Sequence, residues 1–174
     1  LTMPGVPFLY YGDEIGMKYV EGLKSKEGGY QRTGTRTPMQ WNDRLNLGFS
    51  DAPSDHLYLP VDDSRNAPTV EAQLADPDSL IHTVRKLTAL RHGHKDLQGN
   101  GMFEILYARE NEYPFVYRRG SLIMAVNPSG RRAQAQFPDL GTNIFSIGEK
   151  PVRSGELLSM APQSFAVFEM ESGV

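Results

Sequence analysis

From its residues this chain is expected to fold as an α/β segment followed by an all-β unit. Val6-Pro7-Phe8-Leu9-Tyr10-Tyr11 is apolar on both alternating faces, as in a strand buried on both sides. Asp76-Pro77-Asp78-Ser79 opens a run with helical spacing of apolar residues. After Gly99 the chain becomes a series of short apolar runs divided by turn residues.

Taken in order, the first strand ends at Gly12-Asp13 with turn chemistry, and Pro7 marks its start or an edge. From Met17 to about Val70 no period of 2 or 3.6 persists, and Gly, Pro, Asn, Asp and Ser are frequent. A loop longer than about 15 residues in a compact domain is usually functional or disordered. Trp41, Phe49, Leu57, Tyr58 and Leu59 argue for order. The helix is expected to take Asp76 as N-cap and Pro77 as its first residue, with Asp78 near the positive end of the dipole. Leu80, Ile81, Val84, Leu87 and Leu90 form its apolar stripe, basic Arg91 and His92 suit its negative end, and Gly93 stops it.

Strands are expected over residues 103–108, 114–118, 122–126, 133–137, 143–147 and 164–170. Arg119-Gly120-Ser121 and Asn127-Pro128-Ser129-Gly130 are read as hairpin turns of an antiparallel sandwich with six to eight strands. Gly99-Asn100-Gly101 interrupts the pattern, which places two parts at residues 1–95 and 96–174. One strand leaves both edges unpaired and one helix leaves its stripe uncovered, so residues 1–95 are expected to need further chain upstream of Leu1.

Composition narrows the functional classes. At 174 residues there is room for one ordinary domain or two small ones. An apolar share of 39% and a charged share of 22% indicate a globular chain with a core. Eighteen basic against 21 acidic residues, with no dense basic run, argue against a nucleic-acid partner. No apolar run approaches the roughly 18 to 20 residues of a membrane span, so no membrane partner is expected. The absence of cysteine excludes disulfides and thiolate metal sites and suits the cytoplasm. His56, His82, His92 and His94 lack metal-ligand spacing, and Asp62-Asp63 reads as a solvated turn. No Gly-rich phosphate loop or nucleophile elbow occurs. Neither a metal nor a cofactor is expected.

The chemistry concentrates in four motifs. These are Gly5-Val6-Pro7-Phe8-Leu9-Tyr10-Tyr11-Gly12-Asp13-Glu14-Ile15-Gly16-Met17, then Arg32-x-x-x-Arg36-Thr37-Pro38-Met39-Gln40-Trp41, then Val70-Glu71-Ala72-Gln73, then Asp76-Pro77-Asp78-Ser79-Leu80. In this order they resemble the carboxyl-terminal third of the α-amylase family, glycoside hydrolase family 13, and within it the oligo-1,6-glucosidase, α-glucosidase and trehalose synthase branch. The resemblance is dense from residue 4 to about 92 and architectural beyond. It implies the last βα unit of a (β/α)8 barrel, with strand eight, a long active-site loop and helix eight, followed by an antiparallel sandwich. It also implies retaining hydrolysis or transfer at an α-glucosidic bond, using two carboxylates about 5 to 5.5 Å apart. In the family these acids come from earlier strands, so no catalytic residue is expected in this chain and the chain alone is expected to be inactive.

Within that resemblance Arg36 corresponds to an arginine that holds the non-reducing-end glucose. A planar guanidinium can bridge a sugar hydroxyl and a partner carboxylate, which Lys does less well. Arg36 is the first expected substrate contact and Arg32 the second, although either could serve a loop ion pair instead. The neutral segment Gln31-Arg32-Thr33-Gly34-Thr35, where many relatives are more acidic, leaves the subsite preference open. Tyr11, at the strand's rim, can reach a hydroxyl. Trp41 is expected to plug a small loop core, and Glu14 to be a buried structural carboxylate. Tyr107, Tyr113, Phe115 and Tyr117 are expected mainly in the sandwich core. A non-catalytic carbohydrate-binding or scaffold module is the alternative.

Overall fold

The computed structural model describes residues 1–25, 28 and 32–171. The chain divides into two compact units, Pro7–Lys86 on one side and Leu1–Val6 with Leu87–Val174 on the other.

The unit Pro7–Lys86 is built from loops and helix. Single turns of 3-10 helix at Asp13–Ile15, Thr33–Thr35, Leu45–Gly48 and Ser54–His56 punctuate it before the helices α1 (Val70–Ala75) and α2 (Leu80–Gly93), the second of which runs on past Lys86. Helix α1 was not legible as a period, because six residues are too few to show one. Its start is nonetheless set by local chemistry: the Thr69 hydroxyl accepts from the Ala72 N–H at 3.2 Å, an N-cap. The Asp76-Pro77-Asp78-Ser79 signal is used differently from expectation. Asp76 ends α1, its side chain takes the Asp78 N–H at 3.0 Å, and its carbonyl takes the Ser79 N–H at 3.1 Å. The four residues therefore form the corner between two helices, and α2 starts at Leu80 instead of Pro77.

Residues 6–11 are a further correction: they enter no ladder among the described residues. Val6 is 76% and Phe8 92% exposed. A strand exists by pairing, and apolar alternation without a neighbouring strand supplies no hydrogen-bond partners.

In the other unit all strands are antiparallel. One sheet orders β1 (Glu104–Arg109), β2 (Glu112–Arg119), β3 (Leu122–Asn127), β8 (Ser164–Glu169) and β5 (Thr142–Ile147); the second orders β4 (Ala133–Gln136), β7 (Leu157–Met160) and β6 (Val152–Ser154). The sandwich expectation stands, while β6 and β7 were missed: residues 152–154 are all exposed, and Ser159 breaks the apolar run of β7. The β2–β3 hairpin turns through Gly120 and Ser121, with Arg119 opposite Leu122. Gly120 has φ +56, and a Cβ there would strike the Asp96 carboxylate, so only glycine fits. The Asn127–Gly130 turn is not a hairpin, because β3 and β4 belong to different sheets. Buried Asn127 organises that crossing by donating to the carbonyls of Arg131 (2.8 Å) and Ala161 (2.7 Å) and accepting from the Ser129 hydroxyl (2.7 Å).

Between the sheets lie Val116, Ile123, Ala125, Leu158, Met160 and Phe168. The opposite face of the five-stranded sheet is also covered, with Tyr117, Leu122, Met124 and Val167 packed against Leu97 and Leu90. Burial on both faces explains why β3 reads as a nearly continuous apolar run. Tyr117 is core as expected; Tyr113 is 41% exposed and is not.

Arg119, fully buried, closes β2. Its Nε donates to Met102 O (2.7 Å), Nη1 to Thr2 O (2.9 Å) and Nη2 to Gln98 O (2.6 Å). Arg91 likewise donates to the carbonyls of Leu1, Met3 (3.1 Å) and Gly5 (2.6 Å). Burial lowers the Arg119 pKa, with the Arg91 charge adding to the effect. Two guanidiniums, the Thr2–Tyr117 hydroxyl contact at 2.7 Å and the Gly5 N–H on Gly99 O at 3.0 Å fasten residues 1–5 to the sandwich.

Candidate functional site

The four sequence motifs meet in the unit Pro7–Lys86, and Gln73 is where they are joined. Its amide donates to Ile15 O (2.6 Å), its side-chain oxygen accepts the Ile81 N–H (3.1 Å), and its carbonyl accepts the Ser79 hydroxyl (2.7 Å). One side chain thus ties the first turn to the ends of both helices. The loop carrying Arg36 is anchored to the same place, since Gln40 O and Trp41 O accept the N–H groups of Val70 (3.0 Å) and Glu71 (2.9 Å). Gln40 is fully buried and its amide donates to Pro68 O. Ile15, Met39 and Ile81 form the small core beneath, with Met17 and Val70 against it. This accounts physically for the recurrence of four short motifs in one segment: they are each other's packing.

At the first motif Gly12 takes φ +89 and Gly16 φ +71, on either side of the Asp13–Ile15 turn. A Cβ on Gly12 would collide with the Met17 sulfur. Asp13 closes the turn by accepting the Tyr10 N–H at 2.9 Å. The turn leaves Tyr11 and Glu14 facing a cavity of about 470 Å³, within the roughly 300–1,000 Å³ of small-molecule sites. Arg36, Trp41, Phe49 and Tyr58 share its wall, with Pro38, Met39 and Leu59 also lining it.

Two of the three expected site residues, Arg36 and Tyr11, therefore come together. The Tyr11 hydroxyl donates to Thr37 O at 3.1 Å, one residue beyond Arg36. Burial raises the Tyr11 pKa, the neighbouring Tyr10 ring adds to this, and the Arg36 charge opposes it. Arg32 is exposed and outside this lining; its carbonyl accepts the Thr35 hydroxyl at 2.8 Å. Gln31, the start of the neutral segment, lies outside the described residues.

Trp41 corrects an expectation. It is 48% exposed and forms cavity wall instead of plugging a core, because its backbone is held by Leu47 O (2.8 Å) and Glu71 N–H (2.9 Å) and the side chain is left on the open side. Glu14 is half-buried, not buried, and also lines the cavity. Phe49 and Tyr58 were read as signs of an ordered loop and not as wall. The signal available was three large rings in a polar stretch, each about half exposed or more. Among the described residues lining the cavity Glu14 is the one carboxylate. Retaining glycoside chemistry needs two in close register. The arrangement can bind a polar ring: one cation, two phenols and one carboxylate against an otherwise apolar, aromatic wall. Among the described residues no group of three or more His, Cys, Asp or Glu could hold a metal ion, and no helix is long and apolar enough to cross a membrane.

Comparison with known proteins adds three findings. Residues 1–100 match the family model described as alpha amylase, catalytic domain. The chain is 34% identical to a trehalose synthase of Thermus thermophilus over 98% of its own length and 19% of that protein, and 30% identical to a salivary alpha-glucosidase of Anopheles gambiae over 99% of its length and 33% of that protein. A variant of trehalulose synthase MutB, in crystals soaked with trehalulose, superposes with a TM-score of 0.81 at 20% identity, covering 98% of this chain and 36% of that one. The chain thus spans between a fifth and about a third of these relatives.

Proposed function

This chain belongs to the α-amylase family, and on that premise we propose that it forms the carboxyl-terminal part of a longer glycoside hydrolase or transglycosidase that acts on α-glucosidic bonds with retention. In this reading residues 1–95 complete the (β/α)8 barrel and residues 96–174 are the sandwich domain. The catalytic carboxylates belong to barrel segments outside this chain, and Arg36 and Tyr11 contact the glucose ring. Arg32, four residues earlier and exposed, is assigned to a more distant part of the substrate.

The observation that carries the reading is the convergence of Arg36, Tyr11 and Glu14 on one cavity with an aromatic wall, in the segment that matches the catalytic-domain model. The lone carboxylate in that wall supports placing the acid pair elsewhere. The substrate is an α-glucoside or oligosaccharide; no nucleic acid or membrane enters the reading. The absence of cysteine fits a cytoplasmic enzyme.

The test is to express the longer protein and the 174-residue chain side by side and to assay 4-nitrophenyl α-glucoside. The longer protein is expected to release nitrophenol and the chain alone to be inert. Activity in the chain alone would overturn the assignment of the acids.

A further inference from the structure

A polar cleft, of about 220 Å³, lies on the sandwich, where the β1–β2 turn meets the crossing from β3 to β4. Tyr113, Glu112, Arg131, Arg132, Gln134 and Ser129 line it. It sits at the start of β2. Arg119, at the far end of that strand, holds residues 98–102 and Thr2. Seven steps at about 3.4 Å put the cleft roughly 24 Å from that fastening.

Its chemistry is that of a surface for a neutral polyol. Tyr113 lines it and is 41% exposed. Arg132 lies 3.4 Å from Glu149, and Glu112 lies 3.6 Å from Arg109, so both charges are balanced locally. The Arg131 guanidinium has no such partner among the described residues. A planar fork and a carboxamide beside an aromatic ring match a sugar: the ring takes the C–H face, and the two planar groups take vicinal hydroxyls. At about 220 Å³ the cleft is smaller than drug-sized pockets, room for a ring at its surface and not for a buried chain.

We propose that this cleft is a second carbohydrate-binding site, which takes a glucose unit of an α-glucan on Tyr113 with Arg131 and Gln134 as hydrogen-bonding partners. It would hold polymer close to the enzyme without chemistry of its own. The choice of α-glucan rests on the function proposed above; the site itself does not.

The test uses maltoheptaose with the 174-residue chain, by titration calorimetry. The single Trp, Trp41, lines the other cavity, so its fluorescence is a separate reporter. Binding is expected to weaken about five- to tenfold in Tyr113→Ala and in Arg131→Ala, and to persist in Tyr113→Phe. Because Tyr113→Ala could disturb β2, the Arg131→Ala and Gln134→Ala variants provide the reading that does not depend on it. Failure of the wild-type chain to bind, or binding indifferent to Arg131 and Gln134, would overturn the proposal. So would displacement by inorganic phosphate alone, which would make Arg131 an anion site. Binding that is lost in Arg36→Ala and shifts Trp41 emission would also overturn it, while leaving the α-glucoside reading of the first cavity intact.

Discussion

Arg36 sits half-buried beside the Tyr11 phenol, in a wall that is otherwise largely apolar and aromatic. A guanidinium in that position offers fixed, planar donors to a sugar hydroxyl, whereas a lysine offers a mobile point charge. In the longer enzyme proposed above, Arg36→Ala is expected to lower kcat/KM for an α-glucoside about 100-fold, roughly 2.7 kcal/mol, and Arg36→Lys about tenfold. Unchanged thermal unfolding in both variants would separate this from loss of fold. Asp96 gives a second prediction. Its carboxylate accepts the Ser121 N–H at 2.8 Å and hydroxyl at 3.0 Å, which lowers its pKa below the ordinary carboxylate range. A depressed folded pKa stabilises fully above the unfolded value near ~3.9, and that contribution is lost as pH falls through the folded value. Asp96→Asn is therefore expected to cost about 1–2 kcal/mol at neutral pH and less as acid is added below pH ~4, as urea unfolding at a series of pH values will show.

Packing decides which elements formed. In β7 and β8, Leu158 and Phe168 are buried between the sheets, and Leu158→Ala is expected to cost about 2–5 kcal/mol. A loss below about 1 kcal/mol in chemical unfolding would mean that the two sheets are not packed through it. The sandwich strands 104–136 were legible because alternation, turn residues and strand length agree there. Strands β6 and β7 were not, since exposed Val152, Arg153 and Ser154 hold a single apolar residue and pair only because β7 lies beside them, and Ser159 interrupts β7. The helix α2 was legible over nearly its whole length, but its start was not: Asp76 and Pro77 fit a helix entrance and an inter-helix corner equally well, and α1, invisible to periodicity, decided for the corner. Residues 6–11 show the opposite failure, a strong strand pattern without a ladder. In the candidate site, Arg36 and Tyr11 could be singled out because each lies in a recognisable motif, and both line the cavity. Phe49, Tyr58 and the exposure of Trp41 depend on how the loop folds back on residues 68–71, which no local spacing encodes.

The distribution of buried surface sets expectations for the molecule as a whole. The sandwich has two apolar layers, one on each face of its five-stranded sheet, whereas among the described residues the unit Pro7–Lys86 has a small core cluster of Ile15, Met39 and Ile81 and leaves Phe8, Leu9 and Tyr10 at 92%, 53% and 50% exposure. In the isolated chain, amides of β3 and β8 are expected to exchange only on global unfolding, and those of residues 7–60 much faster. Uniform protection across both units would contradict this difference. In the longer protein proposed above, further barrel chain is expected to pack against the same apolar residues, and protection over residues 7–60 to rise to the level of the sandwich.

The first measurement to make is the rate of 4-nitrophenyl α-glucoside cleavage by the longer protein, native and as Arg36→Ala, with the 174-residue chain as control. Cleavage by the native enzyme, a fall of about 100-fold in the variant and silence from the control are the expected result. Equal rates for native and variant, or turnover by the control, would show that Arg36 does not hold the substrate or that the reacting carboxylates lie within this chain.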